Sequence, residues 1–194
     1  MEAANVVTTL GFRLFETPIG VCGIVWGERG VVAVQLPEAG EAAVRARIRR
    51  DFLQAQESAA PAEVLRAIDG IVALLSGEAR DLSFVRLDMT EIAPFNQRVY
   101  EVARSIAPGA TLSYGEIATR LGDPAGARDV GAALGQNPFS IVVPCHRVIA
   151  AGGKIGGFSA RGGIRTKLRL LSIEGVQAEG TAPLFESGRL GHQQ

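Results

Sequence analysis

Between Ile141 and Val148 an unbroken apolar run, Ile141-Val142-Val143, delivers the tetrapeptide Pro144-Cys145-His146-Arg147. The run reads as a buried segment, so the residues after it are anchored from within a core. Pro144 fixes its own φ and pushes Val143 toward extended geometry, which places the next residue rigidly. A thiol held in that way beside an imidazole and a guanidinium has the makings of a nucleophile. The alternative is a buried structural cysteine ahead of a basic pair, because free cysteines are often core residues.

Composition narrows the setting. With 47% hydrophobic and 21% charged residues, the 194-residue chain is ordinary for a globular protein of one large or two small domains. No apolar run approaches the roughly 18 residues of a membrane span, so no membrane association is expected. Met1 to Asn5 lack the basic region and apolar core of a signal peptide. Cys22 and Cys145 make no disulfide framework, and reduced thiols in a cytoplasmic setting are expected. The formal net charge is zero, which excludes a uniformly basic surface. Yet no Asp or Glu falls between Val130 and Ile173, while Arg147, Lys154, Arg161, Arg165, Lys167 and Arg169 do. Cations without acids predict a local patch for a polyanion, nucleic acid above all; a solvated helix face accounts for the last three only.

The first half of the chain is structural in character. Phe12 to Phe15, Val21 to Trp26 and Val31 to Leu36 are short β-rich runs between Pro/Gly turns, the pattern of an antiparallel meander. Cys22 lies inside the middle strand without a His or second Cys nearby and reads as packing. Helices are expected over about Glu41 to Gln54, with Val44, Ile48 and Phe52 on one face, and from about Pro61 to Leu75. The second carries an apolar face of Val64, Leu65, Ile68, Ile71, Val72 and Leu75 and ends at Ser76-Gly77. Ala79 to Met89 alternates enough to predict a further strand.

A linker is placed at Asp88 to Pro94, where the composition changes. Phe95, Val99, Val102, Ala103 and Ile106 then mark one face of a helix closed by Pro108-Gly109. Ser113 followed by Glu116 forms a capping box that starts a helix at Tyr114 and runs to Leu121. A second short helix, about Ala125 to Leu134, follows a tight Gly-containing turn, which predicts a helix-turn-helix. Ala125, Gly126, Ala127, Gly131, Ala132 and Ala133 are all small, so this helix can lie close to a neighbouring helix or to the wall of a narrow groove. Arg128 is a lone long cation on that bare surface. Gln136-Asn137-Pro138 turns the chain into Ile141, and Ala151 to Phe158 is too glycine-rich for a regular element. A last helix covers about Gly163 to Glu174, with Ile164, Leu168, Leu171 and Leu170 turned inward and Gly175 as its cap.

Glu174 sits where the helix dipole disfavours an anion by about 0.3–1 kcal/mol. Either a salt bridge to the arginines around it or a partner imidazole would account for it. A chain Glu174–His146–thiol would lower the Cys145 pKa from about 8.5 and supply thiolate near neutral pH, with a bridging water carrying the proton.

The residues from Ser113-Tyr114 through Arg128, Asn137-Pro138 and Val143-Pro144-Cys145-His146-Arg147-Val148 to Glu174-Gly175 resemble the O6-alkylguanine-DNA alkyltransferases, or methylated-DNA–protein-cysteine methyltransferases. The resemblance spans roughly residues 94–176, and Pro-Cys-His-Arg-Val is its most specific part. It implies a single-turnover enzyme of direct DNA repair that takes an alkyl group from O6 of guanine, or from O4 of thymine, onto its own cysteine. Cys145 matches the alkyl acceptor, His146 and Glu174 the activating relay, and Asn137 the residue that organises the active-site turn. Tyr114 matches the tyrosine that rotates the phosphate and donates to the base; Arg128 matches the finger that replaces the flipped base. Ser113, Ala127 and Gly131 fall in the DNA-binding part, whose recognition helix enters the minor groove.

The resemblance further implies double-stranded DNA containing O6-alkylguanine as partner, with a monomeric chain and no cofactor. Fold and organisation follow as an α+β two-domain protein. Residues 1–90 form an antiparallel sheet with helices, 91–176 a mostly helical alkyl-acceptor domain with the helix-turn-helix, and 177–194 a polar tail. Residues 159–163 are slightly longer than in some relatives, Asp129 puts an acid beside the finger, and Cys22 without histidines predicts no structural zinc. A lesion-binding protein that cannot transfer is the alternative, disfavoured because such proteins lack the cysteine. A helix-turn-helix regulator would leave the tetrapeptide unexplained, and a cysteine hydrolase would need a histidine outside the tail.

Overall fold

The structure, a computed structural model, describes residues 9–176. The predicted polar tail, with His192, lies outside the described residues. The meander forms as expected: β1 (Leu10–Phe15), β2 (Cys22–Gly27) and β3 (Gly30–Gln35) pair antiparallel in sequence. A short strand absent from the sequence reading, β4 (Ala55–Glu57), joins the far side of β1 in parallel and makes the sheet mixed, in the order β3-β2-β1-β4. With only Ala55 of its three residues buried, β4 has no alternation to betray it.

Helices cover both faces of this sheet. The helix α1 (Glu41–Asp51) buries Val44 and Ile48 with Phe12, Val25 and Ala33. It stops at Asp51 because Phe52 turns out of helical geometry, φ −133° and ψ 76°. The helix α2 (Ala62–Leu75) buries Val64, Ile68, Ile71 and Leu75, as its spacing predicts, and also Leu74. Full burial of each such side chain stabilises by about 1.5–3 kcal/mol. Leu65, expected on that face, is instead 39% exposed. Cys22 is buried against the α2 side, where burial pushes its thiol up to about 12.

No strand forms between Ala79 and Met89. Ser83 N–H donates to Asp81 Oδ1 at 2.8 Å, and Arg104 donates to the carbonyls of Ser83 and Val85 at 2.8 and 2.9 Å. These bonds satisfy the segment as a series of turns. Leu82 and Val85 therefore point inward while Phe84 is 53% exposed. The segment hydrogen-bonds to the sheet at Val31, whose N–H donates to Arg86 O and whose carbonyl accepts from Asp88 N–H.

The second half is helical, completing an α+β fold of two parts. The helices α3 (Pro94–Arg104), α4 (Tyr114–Arg120) and α5 (Ala127–Gly135) enclose Val99, Tyr100, Ala103, Ile117, Val130 and Leu134. The capping box at α4 is present in both directions, with Glu116 N–H on Ser113 Oγ at 3.1 Å and Ser113 N–H on Glu116 Oε2 at 2.6 Å. A two-stranded parallel pair, β5 (Leu112–Ser113) with β6 (Val148–Ile149), ties the start of α4 to the residues just after the tetrapeptide. In α6 (Ile164–Ile173), Leu170 and Leu171 face inward, but Ile164 is 51% exposed and Lys167 takes a fully buried place. No helix among the described residues is long and apolar enough to cross a membrane.

Candidate active site

The apolar run is buried as predicted, and it forms a turn. Ile141 adopts φ 72°, the one non-glycine residue among those described to do so. For a β-branched side chain this is a strained geometry, of order 1–3 kcal/mol, kept only where the surroundings enforce it. The surroundings do. Ile141 and Val142 are buried in the core formed by the sheet and α2, and Val34 of β3 donates to Pro138 O at 2.9 Å. Asn137 closes the turn from inside: its Nδ2 donates to Val143 O at 2.9 Å, and its Oδ1 accepts from Phe139 N–H at 2.9 Å.

Pro144 then has φ −80° and ψ 66°, and Cys145 N–H donates to Val143 O at 2.8 Å. That is an inverse γ-turn, matched to the fixed ring torsion of proline. It sets Cys145 at the start of one turn of 3-10 helix, Cys145–Arg147, with its side chain partly exposed. The first half of the chain thus has a direct part in aiming the thiol.

Behind it, His146 Nε2 lies 2.9 Å from Glu174 Oε1, the two side chains being 1% and 3% exposed. Arg147 grips the same carboxylate at two points, Nε to Oε2 and Nη2 to Oε1, both 2.8 Å, and its Nη1 donates to Ile106 O at 2.5 Å. Both expectations for Glu174 are realised at once: it is the ion-pair partner of an arginine and the partner of an imidazole. Burial works to raise its carboxyl, but the hydrogen bonds from His146 and Arg147 prevail and hold it at about 2. The carboxylate fixes the imidazole as the tautomer that donates from Nε2, which leaves Nδ1 a free lone pair. Nδ1 is buried without a hydrogen-bond partner among the described residues.

One expectation reverses in sign. Burial pushes the Cys145 thiol up, and the opposing influence of Asn137, Lys167 and the backbone N–H groups does not overcome it. Burial also lowers His146, only partly offset by Glu174. The resting pair is therefore a protonated thiol and a neutral imidazole, a base ready to act and not a preformed thiolate. Opposite stands Tyr114, whose phenol is raised by burial and by Cys145 and so keeps its proton.

Cys145 and Tyr114 share a cavity of about 430 Å³, within the range of small-ligand sites. Cys145 and Tyr114 line it together with Ala127, Gly131 and Leu134 of α5 and Gly157 to Ser159 of the glycine-rich loop. At Gly156 a side chain would be strained, because φ is 70° and a Cβ there would stand 3.2 Å from the Tyr114 ring. Asn137 lies outside the cavity lining and serves the turn, while Ser113 caps α4 and places Tyr114 at its first residue. Arg128 and Asp129 are exposed on the first turn of α5. An acid at that position complements the positive end of the helix, which accounts for Asp129 beside an arginine.

The predicted basic patch shrinks on inspection. Arg147 and Lys167 are buried, 5% and 0% exposed, leaving Lys154, Arg161, Arg165 and Arg169 on the surface. Arg169 donates to Pro18 O at 2.9 Å, and Arg161 faces Glu38 at 3.8 Å. Lys167 was read only as a member of that patch, yet its Nζ lies 5.7 Å from the centre of the Tyr114 ring. Its i, i+3 and i, i+4 relation to Leu170 and Leu171 was the available signal.

Comparison with known proteins agrees with this geometry. Residues 94–176 match the family model described as 6-O-methylguanine DNA methyltransferase, DNA binding domain. The chain is 36% identical over 163 residues to a methylated-DNA–protein-cysteine methyltransferase of Methanothermobacter thermautotrophicus, covering 84% of each chain. It is 44% identical over 120 residues to one of Mycobacterium bovis, covering 62% of this chain and 70% of that one. Among solved structures, the O6-methylguanine methyltransferase of Mycobacterium tuberculosis superposes with a TM-score of 0.68 at 34% identity, covering 85% of this chain and 92% of that one. The structure of Mycobacterium tuberculosis OGT in complex with DNA gives a TM-score of 0.68 at 33% identity, covering 84% and 92%. The chain belongs to the methylated-DNA–protein-cysteine methyltransferase family.

Proposed function

We propose that this protein repairs DNA directly, by irreversible transfer of an alkyl group from O6 of guanine, or from O4 of thymine, to Cys145. The observation that carries the reading is the shared cavity, in which a nucleophile backed by a buried His–Glu–Arg cluster faces a protonated tyrosine. O6 of a paired guanine is inside the duplex, so the base must leave the stack at a cost of a few kcal/mol, least for a damaged pair.

In this reading residues 91–176 bind DNA and hold the acceptor, and residues 1–90 support the turn that aims it. The outer surface of α5, bare but for Arg128 and Asp129, enters the minor groove, with Ala127 and Gly131 at the mouth of the cavity. Arg128 fills the gap the base leaves. Phosphate contacts, from Ser113 and the start of α4 and from the exposed cations, set the docking without reading sequence.

The chemistry is a displacement at carbon. The Cys145 proton passes through one water to His146 Nδ1, and Glu174 stabilises the imidazolium that forms. The sulfur attacks the alkyl carbon, an S–C bond forms, and the C–O6 bond breaks. Tyr114 gives its proton to the departing guanine, and the proton taken up by His146 returns through water to the Tyr114 phenolate, so that guanine, phenol and imidazole all end neutral. The thioether has no leaving group poised for hydrolysis, so each molecule acts once. The reading takes the protein as a monomer that works in the cytosol or in association with the nucleoid. Cys145→Ala tests it: DNA binding is expected to persist while transfer disappears, and loss of both would contradict the reading.

A further inference from the structure

A second cavity, of about 290 Å³, opens where the segment after α2, the end of α3 and the active-site turn come together. Arg80 and Asp81 line it from the first, Arg104 and Ser105 from the second, and Pro144 and Arg147 from the third. It shares no lining residue with the cavity of Cys145 and Tyr114, and the transfer chemistry makes no use of it.

Its charges do not balance. Three arginines border it against one acid, Asp81. Arg147 is committed to Glu174, and the Asp81 carboxylate accepts from Ser83 N–H at 2.8 Å and Ser83 Oγ at 2.5 Å. Arg80 meets Glu78 at 3.1 Å, but with side chains 54% and 60% exposed such a pair is worth little. Arg104 has no carboxylate within ion-pair distance among the described residues. Its hydrogen bonds there all leave from Nη2, to the carbonyls of Leu82, Ser83 and Val85. Its Nε is sealed from water without a partner, and Nη1 keeps its donors for a ligand. A guanidinium withdrawn from water onto neutral acceptors is costly, and an anion bound beside it offsets that cost. Consistent with this, burial lowers Arg104, and Asp81 and Glu101 do not make up for it.

We propose that this cavity binds a phosphate group, held between the guanidiniums of Arg104 and Arg80. Guanidinium donors match the oxygens of phosphate in charge and geometry. A phosphate there joins the segment after α2 to Pro144 and Arg147, and so braces from behind the turn that carries Cys145. The proposal stands apart from the repair reading, since it needs neither DNA nor a reactive thiol.

Thermal unfolding of the full chain tests it, with inorganic phosphate or deoxyguanosine 5′-monophosphate titrated against chloride at constant ionic strength. A ligand that binds only the folded state should raise Tm saturably, by roughly 3–6 °C at ten times its Kd. The probe with the lower Kd identifies the source, a free anion or a phosphate monoester. Arg104→Gln should abolish the rise. A Tm that follows ionic strength alone, or a wild-type response in Arg104→Gln, overturns the proposal. Should Arg104→Gln not fold, Arg80→Gln decides, because Arg80 is exposed and bonds only Glu78 among the described residues. Its Kd for the same probe should rise about tenfold, the scale of one charge-assisted hydrogen bond, and an unchanged Kd overturns the proposal.

Discussion

Glu174 and His146 meet at 2.9 Å, sealed from solvent, on a carboxylate that Arg147 also holds at two points. One side chain thus orients the imidazole and neutralises a buried guanidinium. Removing its charge leaves Arg147 buried and uncompensated, the case in which breaking a buried pair costs about 3–5 kcal/mol. Glu174→Gln is accordingly expected to lose about that much stability in denaturant unfolding and to transfer alkyl groups roughly 10²-fold more slowly. A variant of wild-type stability would show that the ion pair contributes nothing net.

The same carboxylate sets a pH window. Its folded value of about 2 lies below the ordinary 4.5, so the folded state holds fewer protons than the unfolded state between them. The stability it contributes is complete above about 4.5 and disappears as pH falls toward 2. His146 is also lowered, from 6.5, so it stays a neutral base at pH values where a free histidine is half charged. Single-turnover transfer rates should therefore keep their neutral-pH level through pH 6.5 and decline only below it. An acid limb centred above 6.5 would contradict a buried, neutral His146.

Arg128 stands exposed on the first turn of α5, away from the cavity lining. Its proposed task is to occupy the stack once the base has left, a task that exists only in a duplex. Arg128→Ala should slow transfer from duplex O6-methylguanine by roughly tenfold or more, equivalent to losing at least about 1.4 kcal/mol of the support for the unstacked base, and leave single-stranded substrate within about twofold. Equal losses on both substrates would remove that role.

Much of this was legible in the sequence because the signals are local. The capping box at Ser113 and Glu116, the small residues of α5 and the helical spacing of α2 each depend on neighbours within one or two turns. What escaped depends on contacts far apart in the chain. Ala79 to Met89 alternates like a strand, but Arg104 claims its carbonyls from α3 and leaves it as turns. Six cations without acids read as a surface patch until Arg147 found Glu174 and Lys167 found Val148. The Cys145 thiol was expected low on the strength of its neighbours, and burial outweighs them. The strained turn at Ile141 was invisible for the same reason: β3, α2 and Asn137 enforce it together.

The central claim is that Cys145 is a reagent consumed by the lesion. Incubating the wild-type chain with duplex DNA carrying a single O6-methylguanine and weighing its peptides tests that claim most directly. The account predicts one added methylene on the peptide containing Cys145, in proportion to guanine restored and never beyond one per chain. An unmodified Cys145 beside an intact lesion, or lesions repaired in excess of protein, would contradict it.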